Sequence, residues 1–170
     1  MIHIGALLQT EEVRRINLDL FQDGAQAYLR SGAFGVDGMR AIEQRIRNVS
    51  GHKIRRILEA VPPFEASEIR PAWSHFMAAS AGTHPWPDAN HRTALLVFDA
   101  AIAQGASLRV GLPVDRVAPL VRSSKTLRDG DRSKRPGRAR YYTIEELADP
   151  EHPYRRLFAA YEPHLILKPT

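Results

Sequence analysis

The sequence predicts a mainly α fold, and three observations predict it. Apolar residues recur at helical spacing through most of the chain, helix-capping residues precede several of those runs, and no stretch shows the alternation of a half-buried strand. A length of 170 residues fits a single domain with a core of real size. The apolar share is 44% and the charged share 25%, both ordinary for a globular chain.

The elements follow in order. In 10–30, Val13, Ile16, Leu20 and Phe21 form a helical stripe, Thr10 is placed to cap it, and Glu11 and Glu12 suit the dipole at its start. SGAFG at 31–35 breaks the chain. Asp37 is placed to cap a second helix, which ends at NVSG. Residues 52–60 carry Ile54, Ile57 and Leu58, which fit either a short helix or an extended flap; an extended Arg47–Arg56 would suit alignment of a peptide by strand addition. Ser67 is placed to cap SEIRPAWSHFMAAS, with Pro71 tolerated near its first turn. AGTHPWPD then reads as a loop, and a long helix runs from about Asn90 to Gln104, stopped by Gly105. It is apolar nearly all round, which marks it as the most buried helix. A helix beginning near Pro113 is interrupted by Pro119. Two short helices close the chain, the first with a capping box at Thr143 and Glu146. These limits give a helical domain over 1–121, a basic loop over 122–140 and a helical extension over 141–170 packed on the same domain.

Composition narrows the function. The chain has no cysteine, so disulfides, zinc–thiolate sites and thiol nucleophiles are excluded. No run has the ~18 apolar residues of a membrane span. The amino-terminal stretch lacks the charge and cleavage pattern of a signal peptide, which predicts a cytoplasmic protein with no membrane partner. The net charge of +5 comes from 20 Arg and only 4 Lys and favours an acidic partner. Eight of these cations fall within 122–140, which reads as a solvated loop or a dock for an acidic protein. Nucleic acid is not favoured there, because no aromatic residues interleave the charges.

The chemistry concentrates at 84–92, HPWPDANHR. The orphan N–H groups and dipole of the following helix favour an anion, above all a phosphate. Arg92, in the first turn, reaches back over that anion with a two-pronged grip, and Asn90 offers it an amide. Asp88 suits a Mg²⁺ bridging phosphates. His84 can take a proton from an attacking hydroxyl, and Trp86 between two prolines is an anchor for the loop. His75 reads as packing and Asp99 as the partner of an Arg, neither as catalytic.

HPWPDANHR resembles the signature of the Fic/Doc (Fido) family, H-x-F-x-[D/E]-[G/A]-N-x-R. Its members are mainly helical proteins that move part of a nucleotide onto a hydroxyl of a target protein. The resemblance implies a Fido-type bundle around a buried central helix, with a small β-hairpin flap. It implies His84 as general base, Asp88 as Mg²⁺ ligand, Asn90 and Arg92 as phosphate binders, and Ala89 and His91 as lining of the anion loop, with ATP and Mg²⁺ as cofactors. Adenylyl-transferring members read G-N-G-R-x-x-R; here His91 follows Asn90 and Leu95 replaces the second Arg. D-A-N-H-R-T-A-L is closer to the Doc branch of toxin-like phosphotransferases. A side chain at 91 would also crowd a loop where Gly admits a phosphate. The resemblance therefore implies phosphoryl transfer ahead of AMP transfer, with a non-catalytic binding module as the other reading. The inhibitory pattern [S/T]-x-x-x-E-[G/N] is missing, so restraint would come in trans from an antitoxin-like partner.

Overall fold

Large apolar residues (Trp73, Phe76, Met77) are followed by small ones (Ala78, Ala79, Ala81, Gly82) in 69–83, and that run becomes the hub of the structure. The computed structural model describes residues 1–32, 35–133 and 141–170. In chain order the helices are α1 (Ile4–Leu7), α2 (Thr10–Arg30), α3 (Val36–Arg47), α4 (Gly51–Leu58), α5 (Ile69–Thr83), α6 (Asn90–Ala106), α7 (Val114–Ser133), α8 (Ile144–Ala148) and α9 (Pro153–Ala159). Strands β1 (Leu108–Gly111) and β2 (Ile166–Pro169) form a two-stranded antiparallel sheet. Among the described residues no helix is long and apolar enough to cross a membrane.

α5 is the central helix, because every residue from Ala72 to Gly82 is buried. The small residues Ala78, Ala79, Ala81 and Gly82 let α6, α8 and α9 approach closely, while Trp73, Phe76 and Met77 fill the spaces between them. Trp73 meets Phe158 edge-on at 6.3 Å, and Phe76 packs on Phe98 at 5.7 Å. Burial of each such ring contributes about 2–3 kcal/mol. α6 was expected to hold that central place. It is buried along its α2- and α5-facing sides but leaves Leu96 45% exposed.

Gly82 sets the closest approach. A Cβ there would stand 2.6 Å from Leu147 Cδ1 and 3.1 Å from the Tyr154 ring, and both side chains are fully buried. Gly82→Val should therefore push α8 and α9 off α5. The expected loss is about 1–3 kcal/mol, read as a lower urea midpoint.

Several caps differ from the sequence reading. Gln9 rather than Thr10 holds the N-cap position of α2. Gly35 precedes α3, with Asp37 inside its first turn. Ahead of α5, Glu65 and Glu68 form the capping box in place of Ser67. Thr143 and Glu146 do form theirs. Ser50 caps α4 by accepting from Lys53 N at 3.2 Å. That cap, with Ile54, Ile57 and Leu58 on one buried face, makes 51–58 helical, so no extended flap lies over 47–56.

The only strands among the described residues join distant segments, Arg109 opposite Lys168 and Val110 opposite Leu167. Asp99 of α6 closes the outer edge of β1. It accepts from Val110 N at 2.7 Å and from Arg109 Nε at 3.0 and 2.9 Å, the structural pairing its sequence position suggested.

The basic tract is the largest correction. α7 runs through Pro119 to Ser133, so the expected loop is helical over 122–133; residues 134–140 lie outside the described ones. Pro119 removes one N–H, but Leu120 and Ser124, both essentially unexposed and just beyond the proline, seat the helix inward where α7 packs on α9.

Candidate functional site

α5 and α6 meet at the loop 84–89, and two left-handed residues make the turn. His84 closes α5 at φ 48° and ψ 61°, and Ala89 precedes α6 at φ 58° and ψ 19°. Such a backbone at a non-glycine residue costs on the order of 1 kcal/mol, so its surroundings must hold it. Asn90 does so from inside the loop. Its Oδ1 accepts from Trp86 N at 3.0 Å, and its Nδ2 donates to Trp86 O at 2.9 Å. Trp86 is 3% exposed and belongs to the core, which pins the loop from beneath. From α2, the fully buried Asn17 donates to Asp88 O at 3.1 Å and to Thr93 Oγ1 at 2.7 Å, tying the far end of the loop to α6.

The Asn90 bonds also fix the state of His84. The two Trp86 hydrogen bonds leave one orientation for the amide, so Nδ2 is the atom 3.2 Å from His84 Nε2. Nε2 therefore accepts and carries its lone pair, and the neutral ring bears its proton on Nδ1. The other boundary of the ring is Tyr141, stacked on it at 4.6 Å with planes 2° apart. The Arg128 guanidinium lies 5.7 Å from the centre of the Tyr141 ring.

His84, Asp88, Ala89, Asn90, His91 and Arg92 all line one cleft of about 790 Å³. Its opposite wall is α7, through Val117, Val121, Arg122, Lys125 and Arg128. Among the described residues lining it, four basic side chains accompany one carboxylate, that of Asp88, which lies 3.7 Å from Arg92. The sequence pattern places Arg122, Lys125 and Arg128 in a solvated loop; the structure places them on this wall. The signal for their real place is their three-residue spacing behind Val114, Val117 and Val121, one face of a continuing helix. A second cleft, of about 610 Å³, lies on the other side of the loop between α3, α4 and Tyr141. His84 lines both clefts.

His91 does not crowd the anion loop. It is 7% exposed, and its Nε2 lies 2.7 Å from Ser124 Oγ. Ser124 spends its own hydrogen on Val121 O at 2.9 Å, so His91 donates and Ser124 accepts. This bond joins the first turn of α6 to the middle of α7. Burial lowers the His91 pKa from 6.5 to about 4, and the charges of Lys125, His84 and Arg128 push the same way. The unfolded chain then binds a proton that the folded chain refuses. Stability at neutral pH is untouched, and it falls as pH drops from 6.5 toward 4, by up to about 3 kcal/mol. Urea midpoints should fall across that window, and His91→Gln should flatten the fall. His75, 8% exposed on α5, is likewise held neutral, chiefly by burial.

Among the described residues no group of three or more His, Asp or Glu side chains is placed to cage a metal. A Mg²⁺ borne on phosphates asks less of the protein, one or two carboxylates, and Asp88 is the carboxylate among the described residues lining this cleft. No family model matches the chain, and neither a curated protein nor a solved structure matches it.

Proposed function

We propose that the protein is a transferase that moves the γ-phosphoryl group of Mg²⁺-bound ATP onto a hydroxyl side chain of a target protein. The observation that carries this reading is convergence: the loop residues and the α7 cations line one open cleft, with an unprotonated imidazole nitrogen on its wall. Arg92, Arg122, Lys125 and the start of α6 favour a polyphosphate. Asp88 would hold the Mg²⁺, which supplies charge neutralisation of the phosphates. His84 Nε2 gives up its hydrogen bond from Asn90 Nδ2 and in its place accepts the proton of the target hydroxyl. Its oxygen bonds to the γ-phosphorus, the bond from that phosphorus to the β,γ-bridging oxygen breaks, and ADP leaves. Because His84 also borders the second cleft, the acceptor has an approach that does not cross the nucleotide. Asn90 acts here by holding the loop and the imidazole, since its amide already serves Trp86 and His84.

Phosphoryl rather than AMP transfer now rests on Leu95, in the position of a second Arg. The crowding expected from His91 is absent, because its ring is turned to Ser124. Lysate of the host incubated with the protein and ATP labelled at either the α- or the γ-phosphate tests the reading. Protein label from γ alone supports it, label from α reassigns the reaction to AMP transfer, and no label from either leaves a nucleotide- or protein-binding module. The same reaction run with host extract depleted of small co-expressed proteins tests for an antitoxin-like restraint: label should rise.

A further inference from the structure

The sequence assigned no task to 141–170, yet this segment delivers a side chain to the site. Tyr142 N donates to Gly82 O at 3.2 Å, at the last turn of α5. α8 and α9 pack on the same helix, and Tyr142 packs on Tyr154 at 5.0 Å. The chain is therefore anchored within two residues of His84, and Tyr141 is placed with its ring flat against the imidazole. Arg128 of α7 steadies that ring through a cation–π interaction.

We propose that Tyr141 is a positioning residue for His84: its ring face confines the imidazole to one plane, while the Asn90 amide selects the tautomer, so that Nε2 is held ready as the base. The proposal deepens the transferase reading and rests on it for its catalytic meaning. A left-handed C-terminal residue of a helix has no neighbouring turn to restrain its side chain, so an unsupported imidazole would rotate about its side-chain bonds. Asn90 restrains one ring atom, which still permits tilting. A parallel aromatic face removes that tilt. The same face favours a positive imidazole ring, which is the form His84 takes on once it has accepted the hydroxyl proton.

Tyr141→Phe, Tyr141→Leu and Tyr141→Ala, made in the full chain, test this with two readouts. The first is ¹⁵N NMR of the His84 ring without nucleotide. The second is the kcat and KM of phosphoryl transfer to a labelled target. Phe keeps the ring and should keep both the single Nδ1–H tautomer and the wild-type kcat. Leu and Ala should keep the Nδ1–H tautomer that Asn90 selects but broaden the His84 ring signals through ring motion, and should lower kcat by about tenfold or more, with KM for ATP unchanged. Leu preserves apolar bulk, so a loss of fold in the Ala variant would not conceal the answer. Ring signals as sharp as the wild type in the Leu variant overturn the proposal, as does a defect confined to KM. If the wild-type protein transfers no label, the transferase reading fails, while the NMR comparison still decides whether Tyr141 orients His84.

Discussion

Replacing His84 by Ala should reduce phosphoryl transfer by about 100- to 10,000-fold, the usual contribution of a general base. Three structural facts set that expectation. The Nε2 lone pair is defined by Asn90, whose own orientation is dictated by Trp86. The ring is half-buried and, among the described residues, lines a cleft instead of packing into the core. Among the described residues lining the cleft, the two other candidate bases are engaged elsewhere. His91 spends a ring N–H on Ser124 within the packed α6–α7 interface, and Asp88 lies beside Arg92. His84→Asn is the sharper variant. Asn tolerates the left-handed backbone that position 84 requires, so it removes the base with little strain. Both variants should unfold within a few degrees of the wild type in a thermal melt, while the rate is lost. A His84→Asn protein that still transfers phosphate at the wild-type rate would remove His84 from the mechanism.

How far the sequence carried toward that site depends on what each feature rests upon. The loop residues from His84 to Arg92 are contiguous, so their joint placement was legible: a turn at the mouth of a helix brings neighbours together whatever surrounds them. The capping box at Thr143 was legible for the same local reason. Asn17, Ser124 and Tyr141 were not. Each reaches the site from a different element, and its place there depends on how those elements pack. Asn17 is 71 residues from Asp88, and Ser124 is 33 residues from His91. For α7 the local signals oppose the outcome: a proline inside the helix and a run of charge both argue for a loop. Leu120, Ser124 and Leu127, which pack inward, override them. The extended flap failed in the opposite direction. Its apolar spacing fitted a helix, and the cap at Ser50 settled the matter. The strands β1 and β2 are four residues each and pair Leu108 with Pro169 and Gly111 with Ile166, too short and too distant for any periodicity to register.

The placement of α7 yields the second large expected effect. If its cations bind the polyphosphate, Arg122→Glu combined with Lys125→Glu should weaken ATP binding by about 100-fold, one factor of ten for each charge-assisted hydrogen bond removed. Repulsion from the new carboxylates adds to that. Both side chains are exposed, while Ser124 between them is fully buried, so the helix should keep its seat on α6 and α9. Titration calorimetry with ATP at low and moderate salt checks this. The wild type should lose affinity steeply as salt rises, and the double variant should lose less, because fewer ionic interactions remain to be screened. Arg116→Glu is the control: it lies on the same helix, half-exposed, beside Asp115 and outside the cleft lining, and should bind ATP as the wild type does. Adding His91→Leu separates charge from position. It leaves every α7 cation in place but removes the hydrogen bond that holds Ser124 to the start of α6. Weaker binding in that variant would show that the cations act through the register of α7, not merely through their charge. Unaltered binding in the double Glu variant would take Arg122 and Lys125 out of the phosphate site and leave Arg92 and Arg128 as its cations.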